Sequence, residues 1–261
     1  MSRLGRFLPG LAVALAGLAG LGVLLAGPGY RVGWWSLGPA FALLRWGAEL
    51  GLVATVVALV AVVVGVARHS GRRLGIGVLA LAVALTAFGI PWRMQAQAHR
   101  VPPIHDVTTD PEDPPAFAAV IARRAGARNP VEYAGPAVAA QQRRAFPDLV
   151  PLDLAAPPDR VFPAVEAAAR GLGWEIVAAV PGEGRLEATA TTPWFGFKDD
   201  VVVRVRSRGS GSRVDVRSLS RIGVGDLGVN AARVRRFLDR LRASGLTRLD
   251  SAGPGGLKYP S

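Results

Sequence analysis

The chain has no cysteine. That absence excludes disulfides, thiolate zinc sites, iron–sulfur clusters and a cysteine nucleophile. It says nothing about redox compartment. Histidine is scarce: His69, His99 and His105 are the three, and none follows. HExxH and GxSxG are both missing. A serine nucleophile beyond residue 105 would therefore lack its usual base, which weighs against acyl transfer and leaves carboxylate chemistry open. Acids are nearly absent from the first third. Residues 1–94 hold Glu49 alone, against Arg3, Arg6, Arg31, Arg45, Arg68, Arg72, Arg73 and Arg93. Most of the net charge of +12 is thus concentrated beside apolar sequence, where it reads as membrane topology and not as nucleic-acid binding.

What is abundant is hydrophobic residue, half of the 261. Three runs stand out, at about 7–26, 48–67 and 74–90. About 20 apolar residues cross a hydrocarbon core of about 30 Å, so each run is long enough, the third only just. Trp34, Trp35, Trp46 and Trp92 fall at run ends, as an aromatic belt requires. Arg45 and Glu49 are four apart and pair at the lip of the second run. Ala12, Ala16 and Gly20 form a small-residue face suited to close helix approach. Arg68, Arg72 and Arg73 crowd the loop between the second and third runs. With Arg3 and Arg6 they place that loop and the N-terminus in the cytoplasm. The C-terminal part is then outside. A cleaved signal peptide fits poorly, because the first run is long and Leu24-Leu25-Ala26-Gly27 is a weak cleavage site.

After an anchor at 1–94, residues 95–115 read as a linker rich in proline and acids, solvated and without metal-loop spacing. Residues 116–245 read as a folded domain and 246–261 as a Gly/Pro-rich tail. Phe117–Ala125 reads as a short helix with Phe117, Val120 and Ile121 on one face. Leu152–Leu154 is a short strand. Pro157–Arg170 has helical spacing of Val161, Phe162, Val165, Ala168 and Ala169. Trp174–Val180, Arg185–Thr191, Asp200–Arg206 and Arg213–Ser220 alternate as strands, with turns at 181–184 and 209–212. In the simplest register Arg206 faces Asp215. Asn230–Ala243 is a helix, with Asn230 as its N-cap. The expected fold class is α+β: three N-terminal transmembrane helices, then a helix-grip-like antiparallel sheet domain with two packing helices on one face.

The densest polar cluster has two parts. One is Thr192-Pro193-Trp194-Phe195-Gly196-Phe197-Lys198-Asp199-Asp200. The other runs from Asp215 through Arg217, Ser218, Ser220, Arg221, Gly223, Gly225, Asp226 and Gly228 to Asn230, followed by Arg233. The Phe-x-Asp-Asp strand start, Asp-x-Arg-Ser-x-Ser-Arg, and Gly-x-x-Asp-x-Gly-x-Asn before the last helix resemble a bacterial family known only as domain of unknown function 1499. His105-Asp106-x-Thr-Thr-Asp and Pro114-Pro115-x-Phe117 fit the same resemblance, which covers about 100–245. It implies a membrane-attached or exported domain and brings no reaction.

Asp199, Asp200, Arg217, Ser218, Ser220, Arg221, Asp226, Asn230 and Arg233 are the candidate network at one end of the sheet. Three uses stay open. The network can pin the last hairpin to the last helix, hold an anionic headgroup, or catalyse. Asp199 and Asp200 are adjacent on a strand, so they point to opposite faces and cannot act as acid and base on one atom. Trp194, Phe195 and Phe197 form an aromatic lip, either packed at the sheet edge or touching lipid or a partner. Gly223-x-Gly225-x-x-Gly228 matches the dinucleotide fingerprint by letter only, because its strand is amphipathic and no second half follows. No cofactor or metal is expected. The expected partners are membrane lipids and an envelope protein, with no nucleic acid. The expected place is the bacterial inner membrane, with a cytoplasmic N-terminus and a periplasmic domain.

Overall fold

The structure, a computed structural model, describes residues 4–246, with side chains from Phe7 onward. Arg3, the Arg6 side chain and most of the Gly/Pro-rich tail lie outside the described residues. The chain divides into two compact units. One is 1–100 together with 192–196; the other is 101–191 together with 197–261.

The first unit contains α1 (Leu4–Arg31), α2 (Leu37–Ala67) and α3 (Gly71–Ala98). All three are long and apolar enough to cross a membrane. Each outruns the apolar stretch that marks it, so most of residues 27–47, between the first two apolar runs, is helical and only residues 32–36 separate α1 from α2. Packing reverses the pattern of a soluble protein. Ala12, Ala16, Ala54, Ala58, Ala80 and Ala84 are buried, whereas Leu18, Leu24, Val56, Val63 and Leu79 are exposed. With lipid outside, nothing drives large side chains inward, and small ones let backbones meet. A Cβ on Gly51 would stand 2.9 Å from the Phe88 backbone nitrogen. The Ala12–Ala16–Gly20 face is spent inside this bundle: both alanines are buried and Gly20 abuts Val83. Trp34, Trp46 and Trp92 are exposed, as belt residues should be. Arg45 and Glu49 pair at 3.8 Å and both are exposed.

The second unit contains β1 (Asp106–Thr108), α4 (Pro136–Ala145), β2 (Leu152–Leu154), α5 (Pro158–Gly171), β3 (Glu175–Val180), β4 (Arg185–Thr191), β5 (Lys198–Arg208), β6 (Gly211–Ser220) and α6 (Val229–Arg242). The strands form one antiparallel sheet in the order β1-β6-β5-β4-β3, with β2 also on β6. Val161, Phe162 and Val165 of α5 and Val234, Phe237 and Leu238 of α6 pack on Leu186, Ala188, Val201, Val203, Val214 and Val216. Trp174 stacks on Phe237 in this core, 5.2 Å between centroids.

Four expectations need correction. First, residues 95–115 are not simply a solvated linker. They supply β1, and Asp106, Thr108, Thr109 and Asp110 are buried. Dense proline excluded helix, but it did not exclude an edge strand. Second, the other face of the sheet is covered. Residues 109–133 cross it as an irregular strap, with Phe117 and Val120 on Val202 and Leu219. The helix expected at Phe117–Ala125 is a 3-10 turn, Ala119–Arg123, with Val120 buried and Ile121 exposed. Third, Gly209-Ser210 forms a two-residue turn, because Arg208 pairs with Gly211. The register therefore sets Arg204 against Asp215, and Arg206 against Arg213. Fourth, Asn230 is not the N-cap of α6; Gly228 occupies that position.

Candidate functional site

Strand alternation divides the predicted network between the two faces of the sheet. On the helix face, Asp199 of β5 accepts from Arg233 of α6 at 2.5 Å. Arg233 also donates to Ser218 at 3.0 Å and to Asn230. Ser218 donates to Asn230 at 2.7 Å, and Asn230 donates to Ser220 at 2.9 Å and to the His105 carbonyl at 3.1 Å. Asp226 does the capping that Asn230 was expected to do. Its carboxylate accepts from the Gly228 and Asn230 amides, at 2.8 and 2.6 Å. Burial pushes the Asp226 carboxyl above its usual range, with the two amides opposing. Gly228 turns into the helix at φ +82°, a conformation that favours glycine.

On the strap face, Asp200 is fully buried and accepts from Arg221 at 2.8 Å, Arg124 at 2.5 Å and Thr189 at 2.9 Å. Arg217 of β6 clasps Asp106 with two nitrogens, the closest at 2.7 Å. The same guanidinium lies over the Phe117 and Tyr133 rings and donates to the Val131 carbonyl. Tyr133 is half-buried beside this pair. Burial, then the Asp106 charge, pushes its phenol up to about 12.

Sequence reasoning missed the residues that fasten the strap. Glu187 of β4 is fully buried and accepts from the amides of Ala118, Ala119 and Val120, at 2.9–3.1 Å. Arg204, Arg206 and Arg213 converge on buried Asp215 and reach Asp110 and Asp113 of the strap. That arrangement offsets the like charges that the register sets opposite each other. Gln142 of α4 grips both backbone groups of Thr108, closing the outer edge of β1. Glu187 sits between Leu186 and Ala188 in an alternating strand. A charge at a β-strand position opposite the apolar face is a weak signal, since such residues are usually solvated.

The expected network is thus two networks. Arg217, Arg221 and Arg233 each hold a carboxylate of the same unit. The chemistry this supports is internal charge neutralisation. Asp199 and Asp200, read as unable to share one substrate atom, are turned to different arginines. The fingerprint-like glycines lie between an antiparallel strand and α6, with Gly223 at φ +100° and Gly228 at φ +82°. Among the aromatic lip residues, Trp194 and Phe195 belong to the first unit and Phe197 to the second.

No curated protein sequence matches the chain at a significant level. A family model described as protein of unknown function (DUF1499) matches residues 106–241, from the first residue of β1 to the last turn of α6. The match takes in the strap and both ion-pair networks, along with more than half of the chain. The protein therefore belongs to the DUF1499 family, and in it the family domain follows three helices capable of spanning a membrane.

Proposed function

We propose that this is a non-enzymatic protein of the bacterial inner membrane, anchored by α1–α3 with its N-terminus in the cytoplasm. Its DUF1499 domain is carried on the periplasmic side and binds an envelope partner or lipid there. The orientation rests on the arginine asymmetry, with Arg68, Arg72 and Arg73 at the α2–α3 turn.

The observation that carries the non-enzymatic reading is the pairing of the candidate groups. Asp106, Asp199 and Asp200 are neutralised by Arg217, Arg233 and Arg221, and Asp226 caps α6. An acid–base catalyst needs a group free to exchange a proton with substrate. The same pairing argues against these arginines holding a headgroup phosphate. Recognition then falls to surface shape and apolar contact. The loop after β6 offers Val224, 78% exposed, on a backbone tied to His105 and Asn129. An accessory subunit of a larger membrane complex is the alternative, though the Ala12–Ala16 face is already used inside the bundle.

Reporter fusions after residue 261 should be active only in the periplasm; activity only in the cytoplasm overturns the orientation. Mild-detergent purification followed by native mass spectrometry should retain a lipid or a protein partner, weakened by Val224→Asp. If Asp199→Asn or Asp226→Asn, with folding intact, reproduced the deletion phenotype, the envelope-enzyme reading would be favoured instead.

A further inference from the structure

The first unit includes one segment remote in sequence from its helices, Thr192–Gly196, between β4 and β5. Its partner on α1 is defined by three residues, Gly27-Pro28-Gly29. In a continuous helix the Leu24 carbonyl accepts the amide of the fourth residue on. That residue is Pro28, which has no N–H. The freed carbonyl would be an unmet acceptor, and the Trp194 indole N–H donates to it at 3.3 Å. Gly27 makes the approach possible. A Cβ there would stand 2.6 Å from Trp194 Cδ1 and 2.8 Å from the Trp194 carbonyl oxygen. Gly29 does the same for a second indole: Trp35 donates to the Ala26 carbonyl at 3.0 Å, and a Cβ on Gly29 would overlap its ring. Phe195, 4% exposed, lies with its ring 6.1 Å from Tyr30 and 5.7 Å from Phe41. Arg31 donates to the Pro193 carbonyl at 3.2 Å.

We infer that Gly27-Pro28-Gly29 is an indole-binding notch on the first membrane helix, and that its occupant is Trp194 of the same chain. Pro28 exposes the acceptor, Gly27 removes the side chain that would block Trp194, and the indole supplies the missing donor. The aromatic loop is therefore a latch that closes on α1 at the end of its apolar run. An indole suits that depth, having an apolar ring and one donor. The inference is independent of which side of the membrane the loop occupies.

The cysteine-free chain makes the test clean. Tyr30→Cys with Phe195→Cys should react with a short bifunctional thiol cross-linker in native membranes, giving an intramolecular product. Adding Gly27→Leu should cut the yield at least about fivefold, the factor produced by losing one hydrogen bond of ordinary worth. Because Gly27→Leu can also disturb α1, Trp194→Ala serves as the second variant and should give the same loss while α1 is untouched. No cross-link in the parent pair, or a yield unchanged by both variants, overturns the latch.

Discussion

Asp199 and Asp200 are neighbours in sequence and are neutralised on opposite faces of one sheet. Asp199 meets Arg233 of the last helix at 2.5 Å, and Asp200 meets Arg221 at 2.8 Å and Arg124 at 2.5 Å. One strand position thus ties the helix layer to the sheet, and the next ties the strap to it. Adjacent strand side chains must diverge, so an Asp-Asp pair at the start of β5 serves two layers at once.

Breaking either tie should be costly, because the surviving partner stays buried. Arg233→Ala leaves Asp199 without its cation and should lower stability by about 3–5 kcal/mol. The double change Arg233→Met with Asp199→Leu should recover most of that loss. Denaturant unfolding of the full chain in detergent, followed by near-ultraviolet circular dichroism, measures both.

Glu187 should matter for the strap more than for the sheet. Glu187→Ala leaves the amides of Ala118, Ala119 and Val120 without their acceptor. Each buried donor left unmet costs about 1–3 kcal/mol. Trypsin should then cut after Arg123, Arg124 or Arg128 much faster than in the parent, while Glu187→Gln falls between the two.

Two carboxyls should respond to pH in opposite directions. The Arg235 hydrogen bond holds Asp148 below the usual carboxylate range. Its contribution is present above the unfolded value near 3.8 and is lost as pH falls through the lower folded value. The pair is largely exposed, so Asp148→Asn should cost no more than about 0.5 kcal/mol at neutral pH and nothing in strong acid. Asp226 is raised by burial, so its favourable contribution is complete below 3.8 and is lost as pH rises through the higher folded value. Asp226→Asn should therefore flatten the stability profile above 3.8. Melting temperatures across a pH series distinguish the two signs.

Gly184 should not tolerate a side chain. Its φ is +62°, and an added Cβ would stand 2.0 Å from the Val205 carbonyl oxygen. The Gly184 carbonyl also accepts from the Val205 amide at 2.7 Å. Gly184→Ala combines left-handed strain, about 1–3 kcal/mol, with a backbone clash. A drop in melting temperature with an unchanged family-domain topology is the expected result.

The division between what was legible and what was not follows physical reach. Apolar runs, alternation and turn residues act within a few positions. They marked α1–α3, placed β3–β6 and α5–α6 within a few residues, and set Asp199 and Asp200 on opposite faces. Arg217, Arg221 and Arg233 were visible as a polar cluster for the same reason. Their partners were less visible. Asp106 lies 111 positions from Arg217, and Arg124 lies 76 from Asp200. No local period links residues so far apart.

Sequence alone determined that this chain has three membrane-length apolar segments and an amphipathic α+β domain, because hydropathy period is a local property of the polymer. Tertiary structure alone decided that, of the proline-rich segment's acids, Asp106 is buried in an edge strand and Asp110 in the strap, while Glu112 and Asp113 stay exposed. Burial of Asp106 and Asp110 depends on arginines supplied by distant strands, and desolvating a carboxylate is tolerable only where such a cation is already in place.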